Sequence, residues 1–288
     1  MAASTAVVDL KRKLLEEVRT LFRRDGSVWK EPILDVLEQL RQSNIRAVLF
    51  GGTLRSLLVS RVFQGRPGRP RDLDVVVSGA PLSQLEEQFR DILTRRTRFG
   101  GLQMKSGSWQ FDVWPVKETW AFRHGYAGVP DFSELPSTTP FNMEAVAVDA
   151  WPNESRGRAL FSGNDQFFEG ILTRTLELNN DDVPFPELTV VRALVMACDL
   201  RFKIGPRLAE FIGAVGPTLS EEVFAHVQAN HYGHARMDSR MLTKFVAIVS
   251  GCVADGKPCQ LPIMGQLHLW QSDGESPSPR MNIHLLGS

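Results

Sequence analysis

Two short stretches in the first third of the chain place the strongest constraint on its fold. The apolar run IRAVLF (45–50) stops at Gly51-Gly52 and is followed by TLRSLLVSRV, which has the spacing of a helix. Further along, RDLDVVVSG carries two aspartates, Asp72 and Asp74, at the start of a second apolar run. This order of elements predicts a mixed α+β fold: a strand, a glycine pair, a helix and a second strand that begins with acidic residues. The catalytic or binding groups are expected at the ends of the strands.

The composition is that of an ordinary globular protein and excludes several classes. The 288 residues are 43% hydrophobic and 23% charged with a formal net charge of zero, which argues against binding nucleic acid through overall charge. No apolar run approaches the roughly 20 residues of a membrane helix, and the N-terminus lacks the layout of a secretory signal, so we expect no membrane partner and a cytoplasmic location. Cys198, Cys252 and Cys259 have no CxxC spacing, and we expect free thiols rather than a disulfide or a zinc site.

Helix and strand patterns divide the chain into two parts and a tail. Alternating patterns fill residues 1–180, which predicts a mixed sheet covered by helices, with N-terminal helices before it. The stretch PLSQLEEQFRDILTR is predicted as a helix, LQMKSGSWQFDVWPV as a hairpin turning at Ser106-Gly107, and FNMEAVAVDAW as a further strand. Residues 181–254 predict a small all-helical domain, and the Pro/Gly/Ser-rich residues 255–288 predict an irregular tail.

The Gly51-Gly52 turn is a candidate phosphate site. Where a strand gives way to a helix, main-chain N–H groups point outward, and the absence of Cβ atoms lets an anion approach the positive end of the helix dipole. Arg55 lies one turn into the predicted helix, within reach of the same anion. Because Gly-Gly turns are also common without a ligand, this feature becomes informative only together with the acids that follow.

Three aspartates form a candidate metal site. Asp72 and Asp74 lie two residues apart, so on a strand both side chains project from the same face. Two close carboxylates repel unless solvent or a divalent cation neutralises them, and Mg²⁺ prefers such oxygen ligands. Asp112 lies in the apolar stretch WQFDVWPV, where an unpaired carboxylate is costly, and on an adjacent strand it would complete a cluster for two Mg²⁺ ions. The alternative is a solvated strand end with Asp112 bound to the main chain.

Four blocks of the sequence, in order, resemble one known family. GGTLRSLL…DLDVVV, FDVWPV, TTPFNMEAVAVD and FPELTVVRALVMACDLRFKI are similar to the head and neck of the nucleotidyltransferase superfamily that contains tRNA CCA-adding enzymes and bacterial poly(A) polymerases. The resemblance implies a polymerase-β-like, five-stranded mixed sheet with flanking helices and a metal-dependent transfer of a nucleotide from an NTP. By matching position it implies triphosphate contacts from the Gly51-Gly52 turn and Arg55. It also implies that the three aspartates are catalytic, Asp72 and Asp74 as metal ligands and Asp112 as a metal ligand or general base.

The motifs with which that family reads the base are degenerate here. Ser56 replaces the aspartate after the motif arginine, and residues 138–140 are TTP where the family has RRD to hold the incoming ribose and base. Residues 186–189 are PELT, without an arginine at the position that reads the Watson–Crick edge. These departures predict that the chain is not a standard CCA-adding enzyme.

The sequence therefore predicts a nucleotidyltransferase that uses Mg²⁺ to move a nucleotide from an NTP to an acceptor hydroxyl. A tRNA-like RNA 3′ end, a protein hydroxyl and a small molecule all remain open as acceptors. Arg71, beside the acids, and Arg123, after the third-acid strand, are further candidates for nucleotide binding. The second hypothesis is a catalytically silent nucleotide- or RNA-binding module of the same fold.

Overall fold

The computed structural model describes residues 2–23, 30–66, 68–97, 100–152 and 157–262, so most of the predicted irregular tail lies outside the described residues. The helices are α1 Ala2–Leu21, α2 Glu31–Gln42, α3 Gly52–Gln64, α4 Leu82–Gln88, α5 Trp120–Arg123, α6 Gln166–Thr173, α7 Pro186–Leu200, α8 Pro206–Val215, α9 Glu221–Tyr232 and α10 Ser239–Cys252. The strands are β1 Arg46–Phe50, β2 Asp72–Ser78, β3 Leu93–Arg96, β4 Leu102–Ser106, β5 Trp109–Pro115, β6 Ala147–Asp149, β7 Leu160–Phe161, β8 Thr175–Leu176 and β9 Lys203–Ile204. Short 3₁₀ turns occupy Val116–Glu118, Leu135–Thr138, Asn142–Glu144, Gly216–Thr218 and Val253–Asp255.

Seven strands form one mixed sheet in the order β3-β4-β5-β2-β1-β6-β7. Neighbouring strands are antiparallel except β2 and β5, which run parallel. The predicted mixed sheet is confirmed, but the expected count of five strands is wrong. Strand β3 is added at one edge, where Leu93 pairs with Met104, and β7 at the other, where Leu160 pairs with Val148.

The two faces of the sheet have different roles. Along β2 the odd-numbered residues 73, 75 and 77 are buried in the main core with α1, α2 and α3. The even-numbered residues 72, 74 and 76 lie on the opposite face, because successive strand residues alternate. There Val76 packs in a smaller apolar cluster with Phe122 and Phe132. The two aspartates of β2 therefore lie on the same face of the sheet as this smaller cluster. They are at the N-terminal end of β2, before Val76.

Helices α7 to α10 follow the sheet as the helical patterns predicted. The main core runs without interruption from α1 through α10, so the predicted division at residue 181 stays a prediction. Ser220 and Asp238 cap α9 and α10 by accepting main-chain N–H groups of Val223 and Arg240. Within the described ranges, no helix has both the length and the apolar composition needed to cross a bilayer.

Two predicted elements differ from the structure. The helix predicted for residues 81–95 is wrong beyond Gln88, because α4 ends there, Phe89 is buried in the core and the chain continues as edge strand β3. The hairpin of β4 and β5 is confirmed, with its turn at Gly107-Ser108, one residue later than expected. Only part of FNMEAVAVDAW is a strand, since its first half forms the 3₁₀ turn Asn142–Glu144.

The expectation of three free thiols is also wrong. Cys252, at the end of α10, and Cys259 are joined as a disulfide, whereas Cys198 is free. The pairing arises because the main chain of Cys259 exchanges two hydrogen bonds with Ile204, at 2.7 and 2.8 Å, which fixes the segment beside the end of α10. The spacing of Cys252 and Cys259 in the sequence did not indicate this disulfide, because it depends on the pairing of Cys259 with Ile204 of β9.

Candidate active site

The Gly51-Gly52 turn joins β1 to α3 in a conformation that requires glycine. Gly51 has φ = +51°, a region that side chains disfavour, and its carbonyl accepts the first helical hydrogen bond from the N–H of Arg55 at 3.0 Å. A Cβ atom at Gly52 would lie 3.0 Å from Oδ2 of Asp74 and 3.4 Å from Nη2 of Arg55. The second glycine therefore leaves room for the acid and the arginine to approach the turn.

The start of α3 is directed at Asp74. The N–H of Thr53 donates to Oδ2 of Asp74 at 3.2 Å. In return, the N–H of Asp74 donates to Oγ1 of Thr53 at 2.7 Å, and that hydroxyl donates to the carbonyl of Asp72 at 3.3 Å. The helix N-terminus that was predicted to receive phosphate thus contacts a carboxylate of the protein, which ties the glycine turn to the acidic strand.

The strand register brings the three predicted aspartates to one face of the sheet. Asp74 lies opposite Asp112 across the parallel β2–β5 pair, and Asp72 precedes Asp74 by two residues. Each carboxylate has its own partner. Oδ1 of Asp112 accepts from Nε2 of Gln103 at 3.1 Å, and Oδ2 of Asp72 accepts from Nη2 of Arg71 at 2.7 Å.

Burial and mutual repulsion shift the proton affinity of this acidic group. Burial, followed by the charges of Asp72, Asp112 and Glu144, raises the pKa of Asp74 to about 8, and Arg55 offsets only part of that rise. Burial also raises the pKa of Asp112, with a further contribution from Asp72 and an opposing one from the hydrogen bond of Gln103. An ionised Asp74 would therefore meet more negative charge than the neighbouring cations neutralise, which is why its carboxyl group keeps a proton to a higher pH.

The acidic group has the chemistry of a Mg²⁺ site but not the finished arrangement of one. Carboxylate oxygens on two neighbouring strands are the donors that Mg²⁺ prefers, and their raised pKa values are what a neutralising cation would relieve. Among the residues that the structure describes, however, no three His, Cys, Asp or Glu side chains are arranged to hold an ion. Asp112 and Asp72 are instead hydrogen-bonded to separate partners, Gln103 and Arg71.

A cavity of about 270 Å³ lies beside Asp74. Its wall combines the ends of β1, β2 and β5, the segments 119–121 and 138–140, and the first turns of α7. The lining residues are Phe50, Gly51, Gly52, Asp74, Val76, Trp114, Thr119, Trp120, Ala121, Thr138, Thr139, Pro140, Glu144, Pro184, Phe185, Leu188, Thr189 and Arg192.

Some of the predicted site residues border this cavity and others do not. Gly51, Gly52 and Asp74 are in its wall, as are the two segments that the family resemblance associates with the incoming base. Five predicted residues lie outside the wall: Arg55, Arg71, Asp72, Asp112 and Arg123. Arg71 and Arg123 are exposed, Arg71 beside Asp72 and Arg123 at the end of α5.

Two charged residues that the sequence patterns missed border the cavity. Oε1 of Glu144 accepts from Nη1 of Arg55 at 3.1 Å and from Nη2 of Arg192 at 2.5 Å. Burial acts to raise the pKa of Glu144, but Arg192 and Arg55 outweigh it and hold that pKa below its ordinary range. Both residues are lone charges in apolar stretches, FNMEAVAV and LTVVRALV, which is the same sequence signal that marks Asp112.

Aromatic side chains lead from the cavity to the surface. Trp120, in the cavity wall, stacks on Tyr126 with ring centroids 4.7 Å apart and an interplanar angle of 12°. It also stacks on His124 at 5.2 Å and 28°. Tyr126 is 49% exposed, so one end of the stack is open to solvent. Trp109, by contrast, is a core residue.

Solved structures with a similar fold include CCA-adding enzymes. No family model matches the sequence, and no curated protein is significantly similar to it. A CCA-adding enzyme in complex with ATP matches with a TM-score of 0.54 and 12% identity, over 83% of this chain and 53% of that enzyme. A CCA-adding enzyme in complex with CTP matches with a TM-score of 0.54 and 13% identity, over 86% and 56%. The Thermotoga maritima CCA-adding enzyme complexed with tRNA matches with a TM-score of 0.51 and 16% identity, over 82% and 53%.

At these identities the similarity establishes the fold. The mixed sheet with flanking helices and the helices that follow form a nucleotidyltransferase-like fold, in agreement with the resemblance found in the sequence. The chain spans little more than half the length of these enzymes.

Proposed function

We propose that this chain is a Mg²⁺-dependent nucleotidyltransferase that moves a nucleotide from an NTP to an acceptor hydroxyl and releases pyrophosphate. One observation carries the proposal: Asp74, paired in register with Asp112, lies at the edge of a cavity that the Gly51-Gly52 turn also borders. Carboxylates next to a glycine turn are what a metal-bound triphosphate requires. A cytosolic location, where NTPs are available, is part of the same proposal.

The position of each residue in the fold indicates its role in the proposed reaction. Asp72 and Asp74, together with Asp112, would hold Mg²⁺, which supplies charge neutralisation for the triphosphate and activates the attacking hydroxyl. The glycine turn, whose second residue leaves room for Asp74 and Arg55, would lie beside the phosphates, and Arg55 places a cation there. The base and ribose would occupy the cavity next to the turn. Arg71 and Arg123 lie outside the cavity wall, so any contact from them would be to the outer phosphates or to the acceptor.

The cavity offers little with which to distinguish one base from another, because Glu144 and Arg192 in its wall are hydrogen-bonded to each other and the threonine hydroxyls are also engaged. The hydroxyls of Thr138, Thr139 and Thr189 each donate their proton to a main-chain carbonyl of the protein. None of these residues has the bidentate donor pair of an arginine, and a site discriminates strongly only when the wrong base leaves buried groups unpaired. The proposal therefore excludes an ordered C-C-A product and includes weak selectivity, of about tenfold or 1.4 kcal/mol between the best and worst NTP.

A transfer assay tests the proposal directly. The purified chain is incubated with Mg²⁺, each of four α-labelled NTPs at equal concentration, and either short RNA primers or total cellular protein. We expect incorporated label and released pyrophosphate, with rates that differ by about tenfold among the NTPs. A preference of about a thousandfold for one base would contradict the selectivity argument.

The second candidate is a catalytically silent module of the same fold that binds nucleotide or RNA. The separate partners of the acids favour it, since Gln103 and Arg71 engage Asp112 and Asp72. The same assay separates the two candidates. A silent module would bind NTP in calorimetry without releasing pyrophosphate in the presence of any acceptor.

The aromatic stack favours an RNA 3′ end as the acceptor. Unpaired bases stack on aromatic rings regardless of sequence, and the stack of Trp120 and Tyr126 begins at the cavity where the new nucleotide would be added. Lys117 and Arg123 are exposed on the same segment and would meet the phosphates of such a strand. Related enzymes with this fold bind tRNA, which supports the same acceptor class.

Tyr126→Ala is expected to weaken binding of a short single-stranded RNA by about tenfold, because base–aromatic stacking contributes about 1–3 kcal/mol. Fluorescence anisotropy with a labelled oligonucleotide measures the effect. Tyr126→Phe should bind as the unsubstituted protein does, since it keeps the ring. Val129→Ala is the matched control, because Val129 is 80% exposed on the same segment but has no ring. Equal losses in the alanine variants at 126 and 129 would contradict the stacking argument.

A further inference from the structure

One carboxylate joins two arginines from different parts of the fold. Glu144 lies in the 3₁₀ turn before β6, Arg55 in α3 and Arg192 in α7. Both guanidinium groups donate to the same oxygen, Oε1, at 3.1 and 2.5 Å. The side chain of Glu144 is only 10% exposed, and those of Arg55 and Arg192 are 21% and 24% exposed. The three side chains thus form a compact, largely buried charged group.

The group has an unequal charge balance. Two guanidinium cations share a single carboxylate, so the three side chains by themselves carry one net positive charge. Asp74 adds a negative charge beside both arginines when it is ionised. Burial acts to lower the pKa of Arg192, but the field of Glu144 outweighs it and keeps the arginine charged. A guanidinium fork with donors to spare in a partly buried site is suited to receive a second anion.

The position of the group is the one that a polyphosphate would need. Glu144 and Arg192 border the same cavity as the Gly51-Gly52 turn. The guanidinium of Arg55 lies so close to the turn that a Cβ atom on Gly52 would be 3.4 Å from its Nη2. The oxygen of Glu144 therefore occupies the point between the two arginines where an oxygen of a bound phosphate would receive the same hydrogen bonds.

We propose that Glu144 is an internal counter-ion that holds the phosphate-binding position between Arg55 and Arg192, and that a polyphosphate ligand binds in competition with it. The identification of the ligand as the phosphate chain of a nucleotide rests on the proposed function. Glu144 would then set the affinity of the cavity for phosphate and keep the two cations in place until a ligand arrives. It acts on the ligand only through the arginines, so it is a positioning residue.

The test uses inorganic tripolyphosphate, which has the phosphates of an NTP but no nucleotide to transfer. Binding is measured by calorimetry in buffer with a chelator, so that no divalent cation contributes. Glu144→Gln keeps the shape of the side chain and removes its charge, and we expect it to bind tripolyphosphate about tenfold more tightly than the unsubstituted protein. Unchanged or weaker binding would overturn the proposal.

A second variant and a matched control complete the experiment. Combining Glu144→Gln with Arg192→Gln should cancel the gain in affinity, and a gain that persists would overturn the role of Arg192. Glu177→Gln is the control, because Oε1 of Glu177 accepts from the main-chain N–H groups of Leu178 and Leu208. It should weaken the fold without tightening tripolyphosphate binding.

Stability gives an independent readout. Loss of a buried carboxylate leaves two arginines uncompensated, so Glu144→Gln should lower the melting temperature, and tripolyphosphate should restore it more than it stabilises the unsubstituted protein. If the glutamine variant does not fold, Glu144→Asp, which withdraws the charge by one methylene, should show a smaller gain of the same sign. Absence of that gain would overturn the proposal. Failure of the transfer assay alone would remove the enzymatic function and leave this competition standing.

Discussion

Asp74→Asn is expected to unfold at a higher temperature than the unsubstituted protein in metal-free buffer at about pH 8. Asp74 is surrounded by Asp72, Asp112 and Glu144, and its pKa is raised from 3.8 to about 8. Asparagine keeps an oxygen to accept from the N–H of Thr53 and has no charge to bury. Because Asp74 is partly exposed, solvent screens some of the repulsion, and we expect a gain of about 2–4 kcal/mol in the free energy of unfolding.

The pH dependence of this gain has a defined sign. Below about pH 4 the aspartate is protonated in both the folded and the unfolded chain, so its ionisation does not affect stability. Between about pH 4 and pH 8 the unfolded chain ionises while the folded chain retains its proton, so the stability of the unsubstituted protein falls as the pH rises. The advantage of the asparagine variant should therefore be absent near pH 4 and complete near pH 8.

Thermal unfolding at several pH values in the presence of a chelator measures this effect. Asp131→Asn is the control of opposite sign, because the N–H of Ser133 holds the pKa of Asp131 below its ordinary value. That variant should be no more stable than the unsubstituted protein at neutral pH. A stability gain for Asp74→Asn that does not depend on pH would contradict the repulsion argument. If the aspartates bind Mg²⁺, adding the ion should stabilise the unsubstituted protein and leave Asp74→Asn unchanged.

Asp72→Asn and Asp74→Asn are each expected to reduce nucleotide transfer by about a thousandfold or more. The two side chains share one face of β2, and an amide cannot neutralise a divalent cation as a carboxylate does. The measurement is pyrophosphate release under conditions in which the unsubstituted protein is saturated with NTP and Mg²⁺. Near-full activity in either variant would show that the acids are not the metal ligands.

Asp149→Asn is the matched control for that loss. Asp149 lies on β6 of the same sheet and has a raised pKa owing to burial, but it does not line the cavity. Its substitution should leave transfer within about twofold of the unsubstituted rate, since Asp149 is neither in the cavity wall nor one of the three candidate metal ligands. A similar loss in all three variants would indicate damage to the sheet instead of removal of a ligand.

Much of the fold followed from local patterns. The β1–glycine–α3 unit, β2, the β4–β5 hairpin and the helices after residue 186 were predicted because each has its own apolar period and its own turn signal. Strand β3 was missed because its residues have helical spacing, and only pairing with β4 makes them a strand. The Cys252–Cys259 pair was missed for a related reason, since it depends on a bridge to β9.

The positions of the candidate site residues in the fold were predictable where one segment carries the information, whereas their roles stay predictions. Asp72, Asp74 and the glycine turn could be found from spacing alone, and Asp112 from its apolar surroundings. Contacts between segments could not be read in the same way. Glu144 contacts Arg192, which is 48 positions further along the chain. This contact depends on the placement of α7 beside the 3₁₀ turn that contains Glu144. The hydrogen bonds from the threonine hydroxyls of the cavity wall to main-chain carbonyl groups could not be predicted from the sequence either.

The parallel pairing of β2 with β5 has a kinetic consequence. β2 ends at Ser78 and β5 begins at Trp109, so α4, β3 and β4 lie between the two halves of the acidic group. Pairings across so long a loop form late, because the entropy of closure opposes them until other contacts are in place. The free-energy cost of placing Asp74 beside Asp112, expressed as proton uptake below about pH 8 and as repulsion above it, is then small in the folding transition state and large in the native state. It should leave the folding rate almost unchanged and shorten the lifetime of the native state.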